Sequence, residues 1–195
     1  MLSRSQLAAI ESLHTRHYVH RDIKPANFMI LVDRPSPDAF LIDFGLAQRF
    51  RNPDTYLHVP YSTHHSIVGT LPFSSINGQQ GHAQSRRDDL ESLAYTIIYS
   101  ARGELPWTSL RNHEAILQKK SSITAGDLCQ GLPAPFSDFV TYVRSLGFDE
   151  KPDYPYLHSI ISLCSVNETD KPNKTPPAVH VSVDAGRTPG VGDRM

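Results

Sequence analysis

The stretch that decides the fold reads HRDIKPAN over residues 20–27, and the tripeptide DFG follows it at residues 43–45. The first stretch places a carboxylate, an amine and a side-chain amide close together, at Asp22, Lys24 and Asn27. Phosphoryl transfer from a nucleotide needs an oxygen base near the attacking hydroxyl, a cation on the moving phosphoryl group and hard oxygen ligands for Mg²⁺. The two stretches supply all of these side-chain types and together indicate phosphoryl-transfer chemistry.

Short apolar runs adjoin these polar stretches. Residues 28–32 read FMILV and residues 39–42 read AFLI, with the turn-forming sequence DRPSPD between them at residues 33–38. We expect two short buried strands joined by a turn. Such a pair presents Asn27 at the start of one strand and Asp43 at the end of the other, on the same side.

Helical periodicity dominates much of the remaining chain. A helix ending near Arg16 follows a capping-box sequence at residues 3–6, and the strongest helix begins at Ser85 and has a wide apolar face, which indicates burial at the centre of the domain. Two further helices are predicted around residues 136–143 and 157–164. The fold class is therefore α+β and mostly helical, with a short two-stranded element that carries the two polar motifs.

Two segments lack helical or strand periodicity. Residues 45–84 contain proline, histidine and serine, and we expect a long ordered loop or lid there. Residues 165–195 contain no aromatic, leucine or isoleucine side chain, and prolines accumulate in them. Such a segment buries too little apolar surface to offset its ordering entropy, so we expect a domain at residues 1–164 and a disordered tail after it.

The composition excludes several classes of protein. The 195 residues carry 19 Lys and Arg against 20 Asp and Glu, so a polyanion-binding surface has no support and we expect no nucleic-acid partner. No apolar run reaches the roughly 18–20 residues that span a bilayer, and the amino terminus does not resemble a secretory signal. We therefore expect neither membrane insertion nor secretion. The two cysteines form no disulfide framework, which fits a reducing compartment.

The order H-R-D-x-K-x-x-N and then D-F-G resembles the catalytic and metal-binding loops of protein kinases. Four further stretches resemble the casein kinase 1 family: SRRDDLESL at residues 85–93, LPW at 105–107, KPDY at 151–154, and SIN at 75–77, where most kinases carry APE. The similarity runs over residues 6–164. It implies a kinase large lobe that uses ATP and Mg²⁺, modifies protein Ser and Thr side chains, and works in the cytoplasm, the nucleus or both.

The resemblance also implies a role for five side chains. Asp22 would orient the substrate hydroxyl and accept its proton, and Lys24 would neutralise charge on the transferred phosphate. Asn27 and Asp43 would hold Mg²⁺. Thr70 would brace Asp22 and Lys24, as in kinases directed at serine and threonine.

Further residues around the motifs receive supporting roles. By the same resemblance, Met29 and Ile42 would form the floor beneath the adenine, and Asp89 would anchor the catalytic loop from the amino end of the central helix. Asp88, beside it, is interpreted as a helix cap. Arg21 is expected to form a local structural ion pair.

The resemblance is incomplete on the amino-terminal side. Only 19 residues precede His20, Lys24 is the only lysine before Lys119, and no glycine-rich loop lies upstream of the motifs. We therefore expect the carboxy-terminal lobe of a kinase without the small lobe that closes over ATP. The missing wall would remove apolar burial worth about 25 cal/mol per Å² and phosphate contacts worth roughly 1.5–3 kcal/mol each. Little or no kinase activity is expected from these 195 residues alone.

The segment that would face the substrate departs from the family at two positions. Pro72 stands where the family has an arginine, and His65 stands where a lysine is usual. The family favours targets that carry a phosphate or acidic residues, held by a basic pocket at this place. The two departures put that preference in question.

Three interpretations of the function remain open. The first is a casein kinase 1-type serine/threonine kinase whose small lobe is missing from this sequence. The second is a non-catalytic module that binds proteins through its helical surface, and the third is one half of a split kinase. We favour the first because a scaffold has no chemical need for all five catalytic and metal-binding side chains. Without a covering lobe, the apolar face around Met29 and Ile42 would favour a separate small lobe or a chaperone as partner.

The ten histidines raise the alternative of a metal centre. His14, His17 and His20 are one candidate set, and the pair His64-His65 is another. We disfavour this hypothesis because no cysteine or carboxylate completes a zinc ligand set. His20 is instead interpreted as a structural residue of the catalytic loop.

Overall fold

The computed structural model describes residues 2–31 and 38–166. Within them the chain is mostly helical, as predicted, and none of these helices is long and apolar enough to cross a membrane. The helices are α1 (Leu2–Thr15), α2 (Ile76–Gln79), α3 (Arg86–Arg102), α4 (His113–Ser122), α5 (Ala125–Leu128), α6 (Ala134–Ser145) and α7 (Tyr154–Val166). The strands are β1 (Tyr18–Val19), β2 (Phe28–Leu31), β3 (Asp38–Leu41) and β4 (Gln48–Arg49).

Helix α3 is the central element of the core. All of residues 88–98 are buried, and α1 and α6 both pack against this helix. Its start is capped as predicted, because the Asp88 carboxylate accepts a hydrogen bond from the backbone N–H of Ser85 at 2.7 Å. It ends where Gly103 takes a left-handed conformation with φ +82°. The central burial predicted from the apolar periodicity is confirmed.

The other predicted helices are also present, with small differences at their ends. Helix α1 ends at Thr15, and its buried side chains Leu7, Ile10 and His14 face the core. Helices α6 and α7 match the two predicted carboxy-terminal helices. Because α7 continues to Val166, the first two residues assigned to the tail are helical, and residues 167–195 lie outside the described residues.

Helices α4 and α5 are not predicted from the sequence. Helix α4 reads HEAILQKKSS, in which Ile116 is a buried apolar side chain but no apolar stripe repeats. Helix α5 is only four residues long, too short for periodicity to show. Both begin at side-chain caps: Asn112 accepts from the N–H of Glu114, and Thr124 accepts from the N–H of Asp127.

The predicted strand pair is β2 and β3, which run antiparallel. Phe28 lies opposite Leu41, and Leu31 lies opposite Asp38. Residues 32–37, which include most of the predicted turn, lie outside the described residues. A second antiparallel pair, β1 and β4, was not predicted, and each of its strands has only two residues.

The prediction that β2 and β3 are buried is wrong for most of their residues. Phe28 and Ala39 are buried, but the exposed fractions of Met29, Phe40 and Ile42 are 49%, 42% and 38%. An apolar run shows that a strand avoids water, not that both of its faces are covered within the same chain. Among the described residues β3 packs against α1, and the pair leaves apolar side chains exposed.

The segment predicted as a long ordered loop is irregular over most of its length. It contains β4 near its start and α2 near its end. Arg51 and His58 form a β-bridge, and the ring of Phe148 lies 4.6 Å from that of His58 and 5.1 Å from that of Tyr61. These contacts fasten the loop to the connection between α6 and α7.

Candidate active site

The loop at residues 20–27 is anchored by a carboxylate in the first turn of α3. The backbone N–H of His20 donates to Asp89 Oδ2 at 2.7 Å, and that of Arg21 donates to Asp89 Oδ1 at 2.9 Å. His14 Nε2 lies 3.0 Å from Oδ2 of the same carboxylate, which is buried. The predicted anchoring role of Asp89 is confirmed.

The imidazole of His20 ties this loop to the end of β3. His20 is fully buried, and its Nδ1 accepts a hydrogen bond from the backbone N–H of Asp22 at 3.3 Å. This leaves Nε2 as the protonated nitrogen, which donates to the carbonyl of Ile42 at 3.0 Å. His20 therefore joins the two segments that carry the motifs, in agreement with the structural role expected for it.

The Asp22 carboxylate accepts four hydrogen bonds from three residues. Oδ1 accepts from the backbone N–H and from the hydroxyl of Thr70, both at 2.8 Å. Oδ2 accepts from Lys24 Nζ at 2.7 Å and from Asn27 Nδ2 at 3.1 Å. Four of the residues singled out in the sequence thus meet at one carboxylate, although Thr70 lies far from the others along the chain.

This environment holds Asp22 in its ionised form at neutral pH. Burial by itself raises the pKa of the carboxyl, but the hydrogen bonds from Lys24 and Thr70 and the charge of Lys24 outweigh burial and lower the pKa below its ordinary value. The carboxylate is therefore negative and acceptor-only near pH 7.

Lys24 and Asn27 each make a second contact within the same network. Lys24 Nζ also donates to Thr70 Oγ1 at 2.8 Å, and its side chain keeps 22% of its surface exposed. Asn27 Nδ2 also donates to the carbonyl of Asp22 at 2.8 Å, which leaves its Oδ1 outside these hydrogen bonds. The ammonium of a partly exposed lysine and a side-chain amide oxygen are thus held near the Asp22 carboxylate.

Asp43 lies outside this network, although the residue before it bonds to Asn27. The backbone N–H of Ile42, the residue before it, donates to the carbonyl of Asn27 at 3.0 Å. Asp43 itself is exposed and left-handed, with φ +62°, and its Oδ1 accepts from the N–H of Gly45 at 3.3 Å. Among the described residues it forms no hydrogen bond with the Asp22 carboxylate.

Gly69 lets Thr70 approach the catalytic loop. Its φ is +89°, and a Cβ built there would lie 2.5 Å from the carbonyl oxygen of Arg21. Neither the conformation nor the space admits a side chain. At Gly69-Thr70 the chain therefore passes directly against the backbone of the loop at residues 20–27.

The comparisons with known proteins agree with this geometry. A family model described as "Protein kinase domain" matches residues 2–148. Casein kinase I homolog 2 of Schizosaccharomyces pombe is 44% identical over 170 residues, which cover 82% of this chain. The chain belongs to the casein kinase 1 family of serine/threonine protein kinases. Casein kinase I homolog 3 of the same yeast is 41% identical over 180 residues, which cover 87% of this chain.

The chain corresponds to part of these casein kinase 1 relatives. It spans 41% of the length of homolog 3 and 39% of the length of homolog 2.

Arg21 of this casein kinase 1 chain departs from the expected ion pair. Its Nε donates to the backbone carbonyl of Leu46 at 2.7 Å. Burial lowers the pKa of the guanidinium, and the attraction of Asp89 opposes that shift only in part. In the described part of the chain, Arg21 therefore stabilises the loop by a hydrogen bond to a carbonyl and not by a direct ion pair.

Sequence reasoning missed the residues that hold the segment after Thr70. Lys120 Nζ donates to the carbonyls of Leu71 and Ser74, and Trp107 Nε1 donates to the carbonyl of Pro72 at 2.8 Å. Trp107 belongs to the LPW stretch, which carried the family resemblance but no structural role. Lys120 lies in the unpredicted helix α4, where a lysine is normally exposed.

The histidines are distributed over separate contacts. His14 bonds to Asp89 and Tyr154, His17 accepts from Arg51 Nε, and His65 lies 2.6 Å from the hydroxyl of Ser62. Among residues 2–31 and 38–166, no group of three or more His, Cys, Asp or Glu side chains is placed to hold a metal ion.

Proposed function

We propose that this chain supplies the proton-accepting and magnesium-binding part of a serine/threonine protein kinase that transfers the γ-phosphoryl group of ATP. The observation that carries the proposal is the Asp22 carboxylate, kept ionised and oriented by Thr70, Lys24 and Asn27. The catalytic residues in this proposal are Asp22, Lys24, Asn27 and Thr70.

In the proposed reaction Asp22 accepts a hydrogen bond from the Ser or Thr hydroxyl of the protein substrate. The hydroxyl oxygen forms a bond to the γ-phosphorus, and the bond between that phosphorus and the bridging β–γ oxygen breaks. The proton of the hydroxyl passes to Asp22. Because the pKa of Asp22 is low, orientation of the hydroxyl precedes proton transfer, which completes as the new bond forms.

Lys24 is suited to the charge of the transferred group. Its ammonium lies between Asp22 and Thr70, at 2.7 and 2.8 Å, and remains partly exposed. A flexible ammonium in this position can contact a phosphate oxygen without leaving the site. We therefore assign Lys24 to the γ-phosphate.

Asn27 and Asp43 are the proposed Mg²⁺ ligands. The donor set fits, because Mg²⁺ prefers hard oxygen ligands and both residues offer an oxygen. Asn27 uses its Nδ2 toward Asp22 and not its Oδ1, and Asp43 is exposed. Held by Asn27 and Asp43, Mg²⁺ would supply positive charge that offsets the negative charge of the phosphates.

Met29 and Ile42 are proposed to lie beneath the adenine. Met29 is opposite Phe40 in the strand pair, and Ile42 is two residues beyond Phe40, so the alternation of side chains places all three on one face. All three are partly exposed, which leaves apolar surface for a flat ring.

The same exposed face supports a partner as a second proposal. The apolar side chains of β2 and β3 remain uncovered by the described residues, and a surface of this kind favours association. A small kinase lobe, supplied separately or by a longer chain, would cover it and complete the ATP site. A chaperone is the alternative occupant.

We further propose that substrates need no prior phosphate. The loop after Thr70 carries Pro72, and His65 is hydrogen-bonded to Ser62. Lys120 also lies next to this loop, but its ammonium is buried against carbonyls. A pocket built this way offers little charge to a phosphorylated peptide.

Transfer of radiolabelled phosphate from ATP to Ser/Thr peptides tests the function. We expect little transfer by the 195-residue chain alone and robust transfer after fusion to a casein kinase 1 small lobe. In the fusion, Asp22→Asn should lower kcat about 10²–10⁴-fold, because the base is lost. Asp138→Asn, which makes the same change at an exposed position on α6, is the control. Full activity of the Asp22→Asn fusion would contradict the proposal.

A further inference from the structure

Lys120 is a lysine with no exposed surface. Its ammonium donates to two backbone carbonyls of the segment that follows Thr70, at 2.7 Å to Leu71 and 2.6 Å to Ser74. Both carbonyls belong to irregular chain, where no helix or sheet supplies their partners. An apolar side chain of the same length would leave both of them without this donor.

The surroundings of the ammonium show what offsets the cost of burying it. The rings of Tyr95 and Trp107 lie 5.0 and 5.2 Å from Nζ. Glu91 on α3 attracts the charge, whereas Arg144 on α6 repels it. A buried charge is costly unless hydrogen bonds and partners compensate, and here both direct hydrogen bonds go to one loop.

The same loop also folds back onto Thr70 through its own backbone hydrogen bonds. The carbonyl of Thr70 accepts hydrogen bonds from the backbone N–H groups of Phe73 and Ser74, at 2.9 and 3.0 Å. Trp107 Nε1 adds a third external donor, to the carbonyl of Pro72. Residues 70–74 are thus a turn whose carbonyls are held by α4 and Trp107 and whose first residue bonds to Asp22.

We propose that Lys120 is a positioning residue that fixes the turn at residues 70–74 and thereby holds Thr70, the first residue of that turn, against the Asp22 carboxylate. The effect of Lys120 on catalysis rests on the proposed function, whereas its effect on the position of Thr70 does not. Lys120 acts through Thr70 and touches neither Asp22 nor Lys24.

The state of charge of Lys120 supports this role. Burial lowers the pKa of the ammonium to about 7, with repulsion from Arg144 adding to burial and attraction by Glu91 opposing it. Hydrogen bonds from a charged donor are shorter and stronger than those from a neutral one. The hydrogen bonds from Lys120 to the carbonyls of Leu71 and Ser74 should therefore weaken as Lys120 loses its proton.

The test compares Lys120→Met with Lys119→Met in the full 195-residue chain. Lys119 is the exposed neighbour on the same helix, so its replacement is the matched control. The readout is the pKa of Asp22, followed by carbon-13 NMR of its carboxyl. Because the Thr70 bonds lower that pKa, Lys120→Met should raise it, and Lys119→Met should leave it unchanged. A lysine that only stabilises the fold would not shift the pKa of Asp22.

Hydrogen exchange provides a second readout in the same variants. The amides of Phe73 and Ser74 should exchange about tenfold faster in Lys120→Met, because the turn that protects them loses a charged hydrogen-bond donor. Amides of α6 should exchange at the wild-type rate. An unchanged Asp22 pKa with unchanged exchange at Phe73 and Ser74 would overturn the proposal.

If Lys120→Met does not fold, the wild-type chain gives the answer. The carbonyl carbon-13 shifts of Leu71 and Ser74 should move with the same midpoint as the ε-carbon of Lys120. Constant carbonyl shifts while Lys120 titrates would overturn the proposal. None of these readouts needs ATP, so an inactive small-lobe fusion together with a raised Asp22 pKa in Lys120→Met would refute the proposed function and leave the role of Lys120 intact.

Discussion

Asp22 is the carboxylate at which three other side chains of the candidate site meet. Lys24 and Asn27 could be predicted to lie near it, because they are two and five residues away along the chain. Thr70 could be assigned to it only through the family resemblance, since no local pattern shows that a residue so distant returns to the loop. The double contact of Thr70, through its backbone and its hydroxyl, is a product of the fold.

Replacing Thr70 by valine tests that double contact. Thr70→Val keeps the backbone N–H and removes the hydroxyl, so the pKa of Asp22 should rise toward its ordinary value. A carboxyl whose pKa is lowered in the fold stabilises the folded state at pH values above its ordinary pKa. This contribution is lost as the pH falls through the lowered pKa. The variant should therefore lose less stability in acid, as measured by urea unfolding across pH 2–6. The exposed Thr63 provides the control, Thr63→Val.

Asp43 should behave differently from Asp22, because it lies outside the hydrogen-bonded network. In the small-lobe fusion, Asp43→Asn should weaken binding of Mn²⁺ with ATP, detected by electron paramagnetic resonance, and leave the pKa of Asp22 unchanged. A carboxylate oxygen is a stronger ligand for a hard divalent cation than an amide oxygen. If metal binding with ATP is the same in the variant and the wild type, the assignment of Asp43 is wrong.

At the level of elements, periodicity predicted the helices that bury a stripe and failed for those that do not. Helix α3 was identified because its apolar residues repeat, and its burial followed. Helix α4 has one buried apolar side chain, Ile116, and a buried lysine, so its inward face is invisible to a hydrophobic pattern. The burial of β2 and β3 was overpredicted because an apolar run does not reveal what covers it.

The exposed strand face leads to a prediction about stability. Phe40→Thr keeps a strand-favouring residue at a position that is 42% exposed, so the free energy of unfolding should change by less than about 1 kcal/mol. Binding of a hydrophobic dye such as ANS should fall. Phe139→Ala, in the core on α6, should cost about 3–5 kcal/mol. Equal destabilisation by the two changes would show that the strand face is covered in solution.

For the whole molecule, the buried charge of Lys120 makes stability depend on pH. Its pKa is about 7 in the fold, against an ordinary value of 10.5. Between these values the unfolded chain holds a proton that the folded chain has released, so the free energy of unfolding rises with pH. Lys120→Met lacks this contribution. The free energy of unfolding of the wild type minus that of Lys120→Met should therefore increase from pH 7 to pH 10, as measured by urea unfolding. Parallel pH profiles of the two proteins would contradict this prediction.

Trp107 is the only tryptophan in the chain, and its indole is buried with its N–H on the carbonyl of Pro72. Under excitation selective for tryptophan, the intrinsic fluorescence therefore comes from a single indole that touches the segment next to Thr70. A spectral shift or a change in quenching by iodide or acrylamide would report rearrangement of that segment without any added label. The molecule thus carries its own optical probe beside Thr70, one of the proposed catalytic residues.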